Sequence, residues 1–276
     1  MSGTPPIVLT FAATDPSGGA GIQADILTLT SMGCHALSVV TAVTVQDSAG
    51  VEDVLCLDAE WVADQARRVL EDVQVSVFKV GLLPSVEIVA AVAEIVSDYP
   101  DIPLIVDPVL ASGRGDELAG ENVVFAMRDL LLPQTTILTP NSIEARRLIL
   151  DEMDEVSTPD LSECARQLIE MGCEYVLITG THENSPQVLN TLYDDSGIVR
   201  TDSWERLPGS YHGSGCTMAS ALAAALANGI DIVDAVRDAQ EFTWQALRHA
   251  YRAGMGQLIP DRLFWARETD SGEEDD

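Results

Sequence analysis

Short runs of aliphatic and β-branched residues alternate with longer amphipathic stretches along nearly the whole chain. The run Ile-Val-Leu-Thr-Phe-Ala over 7–12 predicts a strand, and 22–32 predicts a helix stopped by Gly33. Further strands are predicted over 37–43, 51–57, 75–80, 104–106, 136–138 and 175–178, with Asp58 as the N-cap of a helix reaching Asp72. Residues 189–194 and 198–202, joined by Asp195-Ser196-Gly197, predict a hairpin, and helices over 216–227 and 232–252 close the pattern. The strands are continuously apolar rather than alternating, which is the signature of strands covered on both faces. The expected fold class is therefore α/β, a three-layer α/β/α sandwich with a mostly parallel central sheet.

Open parallel sheets bind ligands beyond the carboxyl ends of their strands. The unusual residues of this chain fall at such positions: Asp15 to Gly21 after the first strand, Gln46 after the second, and Gly81-Leu82 after Val80. Asp107-Pro108 follows Val106, Asn141 and Glu144 follow Leu138, and Gly180-Thr181-His182 follows Ile178. One wall of the domain is expected to collect them.

Three segments carry candidate chemistry. Asp15-Pro16-Ser17-Gly18-Gly19-Ala20-Gly21 lets the backbone approach a ligand closely, although no Gly-Lys-Ser/Thr follows, so it is not a P-loop. A strand-to-helix turn without a ligand accounts for it about equally well. In Thr139-Pro140-Asn141-Ser142-Ile143-Glu144, Asn141 and Glu144 have the spacing of a capping box. The same pair, with Asp107, has the chemistry to hold magnesium through water against phosphates. Tyr211-His212-Gly213-Ser214-Gly215-Cys216-Thr217 precedes an alanine-rich helix, and glycines at a helix N-terminus free N–H groups for an anion. Cys216 falls in the first turn, where a thiolate is favoured. Close packing of two helices around a small cysteine is the competing explanation.

Bulk properties narrow the partners. With 44 acidic against 15 basic residues, a net charge of −29 and Lys79 the sole lysine, the surface repels nucleic acid and anionic membranes. No apolar run reaches the ~20 residues of a membrane span, and the first residues lack the pattern of a signal peptide. Cys34, Cys56, Cys164, Cys173 and Cys216 are scattered, suggesting neither a disulfide framework nor a zinc cage. A cytoplasmic protein is expected, with one domain over 1–268 and a disordered acidic tail over 269–276.

The chain resembles the bacterial hydroxymethylpyrimidine/phosphomethylpyrimidine kinases of thiamine biosynthesis, within the ribokinase-like superfamily. Three stretches carry the resemblance: Thr14 through Asp25, Leu131-Leu132-Pro133 leading to Thr139-Pro140-Asn141, and His212-Gly213-Ser214-Gly215-Cys216-Thr217. It implies transfer of phosphate from ATP, with Mg2+, to 4-amino-5-hydroxymethyl-2-methylpyrimidine and then to the monophosphate. By position it implies that Gln46 bonds the pyrimidine ring. Ala20, Leu82 and Val109 line the pocket, and Asp15 shapes the loop. Gly213, Ser214 and Gly215 form an anion hole, and Cys216 serves as base or orients the acceptor hydroxyl. Asp107, Asn141 and Glu144 serve the metal and phosphates, with no dedicated protein cage for the metal. A homodimer is also implied.

Leu82 stands where the family has methionine, and Ala12-Ala13-Thr14-Asp15 where it has Ala-Gly-Ser/Thr-Asp. Thr179, and the segment Ala111-Ser112-Gly113-Arg114-Gly115-Asp116, stand where the family has lysine-bearing motifs. Each lost lysine removes a charge-assisted contact of roughly 1.5–3 kcal/mol, and Arg114 is the nearby replacement cation. Two other activities fit the same features: a pyridoxal or pyridoxine kinase, and a weakly catalytic sensor that binds the pyrimidine.

Overall fold

Neighbouring residues of a strand face opposite sides of its sheet, and here both sides are buried. In the computed structural model, which describes residues 3–111, 118–150 and 159–267, Leu9, Phe11, Phe78 and Val80 point into one apolar layer while Val8 and Val77 point into the other. The elements in chain order are β1 (Ile7–Ala12), α1 (Gly21–Ser31), β2 (His35–Val40), β3 (Ala42–Gln46), β4 (Val51–Cys56), α2 (Ala59–Leu70), β5 (Val77–Val80) and α3 (Val86–Ser97). They continue with β6 (Leu104–Val106), α4 (Glu121–Ala126), β7 (Ile137–Leu138), α5 (Ser142–Ile149), α6 (Leu161–Glu170), β8 (Tyr175–Thr179), β9 (Gln187–Asp194), β10 (Gly197–Glu205), α7 (Ser214–Ala227) and α8 (Ile232–Arg248).

Eight strands form the main sheet in the order β10-β9-β8-β7-β6-β5-β1-β2. Strands β2, β1, β5, β6, β7 and β8 run parallel, and the β9–β10 hairpin adds an antiparallel edge. Helices α1, α7 and α8 cover one face, and α2 to α6 the other. The chain steps from β1 to β2 on one side and to β5 on the other, so the crevice beside the end of β1 is the topological switch point where ligands bind in such sheets.

The expected strand over 37–43 divides. Thr41 interrupts it: its N–H donates to Ala12 O at 3.0 Å and its hydroxyl to Leu82 O at 2.7 Å. The chain then leaves the sheet, and β3 pairs antiparallel with β4 as a separate two-stranded hairpin. Asp58 does occupy the N-cap of α2, but its side chain makes no capping bond, and the helix ends at Leu70. The last helix also stops early, at Arg248, because Tyr251 turns away to pair with Ile259. The acidic stretch 269–276 lies outside the described residues.

Candidate active site

The 15–21 loop is built around one carboxylate. Buried Asp15 accepts from the backbone N–H of Ser17 at 2.8 Å and of Ala20 at 2.6 Å, and lies 2.9 Å from His212 Nε2. Burial pushes the Asp15 pKa up, but the bonds from His212, Ser17 and Ala20 more than offset it, leaving the group below its ordinary value. Gln23 reaches back to accept from Asp15 N–H at 2.8 Å, so the loop is closed from both ends.

Against this loop sits the turn that starts α7. Gly213 caps the helix with φ 75°, a left-handed conformation that favours glycine. A Cβ placed there would also stand 2.0 Å from Gly19 O. Two separate constraints therefore demand glycine where the two loops touch. The first intrahelical bond runs from Thr217 N–H to Gly213 O at 3.0 Å, so the N–H groups of Ser214, Gly215 and Cys216 have no partner within the helix.

Cys216 lies in the first turn of α7 and is of intermediate exposure. The Asp107 carboxylate and the backbone of Gly21 lie near enough to act on its thiol electrostatically. The thiolate expected at a helix N-terminus is not what the surroundings favour. Burial pushes the thiol pKa strongly up and Asp107 and Asp25 push it further, while Lys79 and Gly21 oppose them without prevailing. These surroundings favour the neutral thiol over the thiolate.

Strand parity explains where Lys79 lies. Phe78 and Val80 face the α2–α6 layer, so Lys79 faces α1 and α7, where it is fully buried. Its ammonium lies 3.0 Å from both oxygens of Asp25, which also accept from Thr10 Oγ1 at 2.6 Å and Ser220 Oγ at 2.7 Å. It is also 3.9 Å from Asp107 Oδ2. Neither Lys79 nor Asp25 stands out as a candidate site residue in the sequence. The usable signal was a lone charge inside the apolar run Val77-Phe78-Lys79-Val80, which requires a buried counter-charge.

On the other side, Asn141 and Glu144 form the expected capping box at the start of α5. Asn141 Oδ1 accepts from Ile143 and Glu144 N–H at 2.9 and 3.0 Å, and Glu144 Oε2 accepts from Asn141 N–H at 2.9 Å. Burial and the charge of Asp107 push Glu144 up to about 8. Asp107 is raised as well, first by burial, and its Oδ2 is buried without a hydrogen-bond donor. Two mutually repelling carboxylates, one with an orphaned oxygen, are a set that a divalent cation would relieve. Among the described residues, no cluster of three or more His, Cys, Asp or Glu side chains could hold a metal by itself.

The remaining candidates fall on the hairpin side. Leu82 and Val109 share a small apolar cluster with Ala13, Ala42 and Val54, bringing the ends of β5 and β6 against the β3–β4 hairpin. Ala20 is the residue before α1. Gln46 Nε2 donates to Thr44 Oγ1 at 2.8 Å and is 3.4 Å from Thr14 O, so its side chain lies beside the residue that leads into the 15–21 loop. Near Thr179, where the lysine is missing, Arg206 donates to the carbonyls of Thr181, Glu183 and Ser185 at 2.8 to 3.1 Å. Arg114 lies outside the described residues.

The fold and the glycine turn at its helix N-terminus place the protein in the ribokinase-like class of α/β kinases. Within that class, the chain belongs to the phosphomethylpyrimidine kinase family, which it matches over residues 15–261. A hydroxymethylpyrimidine/phosphomethylpyrimidine kinase of Mycobacterium tuberculosis is 41% identical over 264 residues, covering 95% of each chain. Among solved structures, Bacillus subtilis pyridoxal kinase in an ADP complex superposes with a TM-score of 0.86 at 28% identity, covering 96% of this chain and all of that one. A phosphomethylpyrimidine kinase of Clostridium difficile superposes with a TM-score of 0.74 at 29% identity, covering 88% and 99%.

Proposed function

We propose that this protein transfers the terminal phosphoryl group of ATP to the hydroxymethyl group of 4-amino-5-hydroxymethyl-2-methylpyrimidine, and then phosphorylates the monophosphate to the diphosphate. The observation that carries this reading is the junction of the 15–21 loop with the Gly213 turn at the switch point of the sheet. In this reading the acceptor would lie against the 15–21 loop, beside the N–H groups that open α7.

Gln46 would bond the pyrimidine ring, with Ala20, Leu82 and Val109 as walls and Asp15 fixing the loop between them. The N–H groups at Ser214, Gly215 and Cys216, presented by Gly213, would receive the charge that builds on the moving phosphoryl group. Phosphoryl transfer proceeds through a loose transition state, so positioning and electrostatics contribute more than a strong base does. A neutral Cys216 suits that demand by orienting the acceptor hydroxyl. Asp107 and Glu144, through water, would hold Mg2+, with Asn141 keeping Glu144 in place. The ion would neutralise charge on the nucleotide phosphates.

A coupled assay of ADP release with hydroxymethylpyrimidine and pyridoxal side by side tests the reading. Turnover is expected with the pyrimidine and is expected to stop when EDTA removes Mg2+. Preference for pyridoxal, which the B. subtilis neighbour makes the natural second substrate to try, would replace the acceptor and keep the kinase. Tight pyrimidine binding without turnover would indicate a sensor.

A homodimer of cytoplasmic location completes the proposal. Among the described residues no helix is long and apolar enough to cross a membrane. The outer face of the β3–β4 hairpin offers a surface for a second copy: Val43, Val45 and Leu55 are 43%, 54% and 66% exposed.

A further inference from the structure

The segment after α8 is a strap that crosses the loops of the site in turn. Asp261 N–H anchors it to Ala246 O of α8 at 2.9 Å. Gln257 N–H donates to Ser48 O at 2.7 Å and Gly256 N–H to Ser48 Oγ at 3.1 Å, just beyond Gln46. The approach is so close that a Cβ on Gly256 would stand 2.0 Å from Ser48 O. Leu258 then exchanges bonds with the segment before the anion turn, donating to Ser210 O at 2.9 Å and accepting from His212 N–H at 2.8 Å.

The strap ends by inserting Arg262, which is 3% exposed, behind the junction of the two loops. Its Nη2 donates to Gly19 O at 2.5 Å, its Nη1 lies 3.4 Å from Gly18 O, and its Nε donates to Thr217 Oγ1 at 3.1 Å. Thr217 Oγ1 in turn donates to Gly213 O at 2.8 Å. One planar group thus spans the substrate loop and the first turn of α7. Among the described residues Arg262 makes no ion pair: its side-chain hydrogen bonds go to neutral oxygens, and the carboxylates of Asp25 and Asp15 act on it only from further off. A buried charge without a direct ion-pair partner is costly to keep, and the three-pronged contact it makes needs a fork that lysine does not have.

We propose that Arg262 is a positioning residue for phosphoryl transfer: its guanidinium fixes the spacing between the acceptor loop and the anion turn, so that the acceptor hydroxyl and the free N–H groups converge on the same phosphoryl group. This rests on the kinase reading above. Among the described residues the side-chain bonds of Arg262 run to the 15–21 loop and the first turn of α7 and none to β8, so the effect is expected on the chemical step rather than on ATP binding.

The test is steady-state kinetics of Arg262→Met, Arg262→Lys and Arg262→Ala against the unaltered protein, with urea titrations to measure the folded fraction. In Arg262→Met, kcat is expected to fall about 100-fold, as a misplacement near 1 Å does, while KM for ATP stays within about threefold. Arg262→Lys keeps the charge but not the fork, so it is expected to fall about tenfold. Added guanidinium at millimolar concentration is expected to restore part of the rate of Arg262→Ala and leave the unaltered protein unchanged. Full kcat in folded Arg262→Lys or Arg262→Met overturns the proposal. So does a loss that tracks the unfolded fraction and shows no guanidinium rescue. If Arg262→Met does not fold, Arg262→Lys decides alone. A parent protein without turnover on any acceptor defeats the kinase reading instead, which keeps the two failures distinct.

Discussion

Cys216 stands where two physical tendencies oppose each other. A helix N-terminus favours an anion, yet burial and then the carboxylates of Asp107 and Asp25 favour the neutral thiol. The one nearby ammonium, Lys79, is already committed to Asp25 at 3.0 Å. A removed thiol therefore costs an orienting contact more than a proton acceptor. Cys216→Ala is expected to lower kcat about 100-fold with KM for the pyrimidine nearly unchanged, the signature of an interaction made in the transition state. Rates within a few-fold of the parent would remove Cys216 from the mechanism. The same residue shows how local sequence misleads. Its place in the first turn was readable, but its charge state depends on burial first and then on Asp107, 109 positions away in sequence, which the sheet brings beside it.

At the scale of elements, hydrophobic periodicity placed β1 and β6 at their observed bounds, and put Asp107, Asn141 and the 15–21 loop at strand ends, because period and polarity are local properties. Two things were not local. The break at Thr41 arises from bonds to Ala12 and Leu82 that only the assembled sheet supplies, and the strap that carries Arg262 has no regular period at all. The Thr41 break creates the β3–β4 hairpin, and its two faces have separate uses. Ala42 and Thr44 point inward, whereas Val43, Val45 and Leu55 point out, with Val43 directly opposite Leu55 in the ladder. A contiguous exposed apolar face on such a small hairpin is expected to meet a copy of itself. In light scattering after size exclusion, the parent should have the mass of a dimer. Val45→Lys combined with Leu55→Lys should have that of a monomer, since two buried ammonium groups per subunit oppose docking. A dimer mass that survives both substitutions would move the interface elsewhere.

The whole molecule carries a net charge of −29, and this sets how its stability responds to salt. Two effects of opposite sign compete. Salt weakens exposed ion pairs such as Arg67–Glu94, Arg68–Glu71 and the contacts of Arg166 with Glu163 and Glu170, but such pairs contribute only about 0.2–1 kcal/mol each. Salt also screens repulsion among 44 acidic groups that only 15 basic ones can offset. That repulsion acts between every pair of acids within a screening length, about 10 Å at 0.1 M salt and about 3 Å at 1 M. The many-body term outweighs a handful of weak pairs, and the compact state, which crowds the charges, gains most from screening. The buried pair Lys79–Asp25 is shielded from solvent ions and does not enter the balance. The urea midpoint is therefore expected to rise as KCl increases from 0.1 to 1 M, most steeply at the low end, and to level off once the screening length falls below the spacing of surface charges. A flat or falling midpoint would show that self-repulsion does not limit stability. A rise that continues without levelling would trace the effect to exclusion of salt from apolar surface instead.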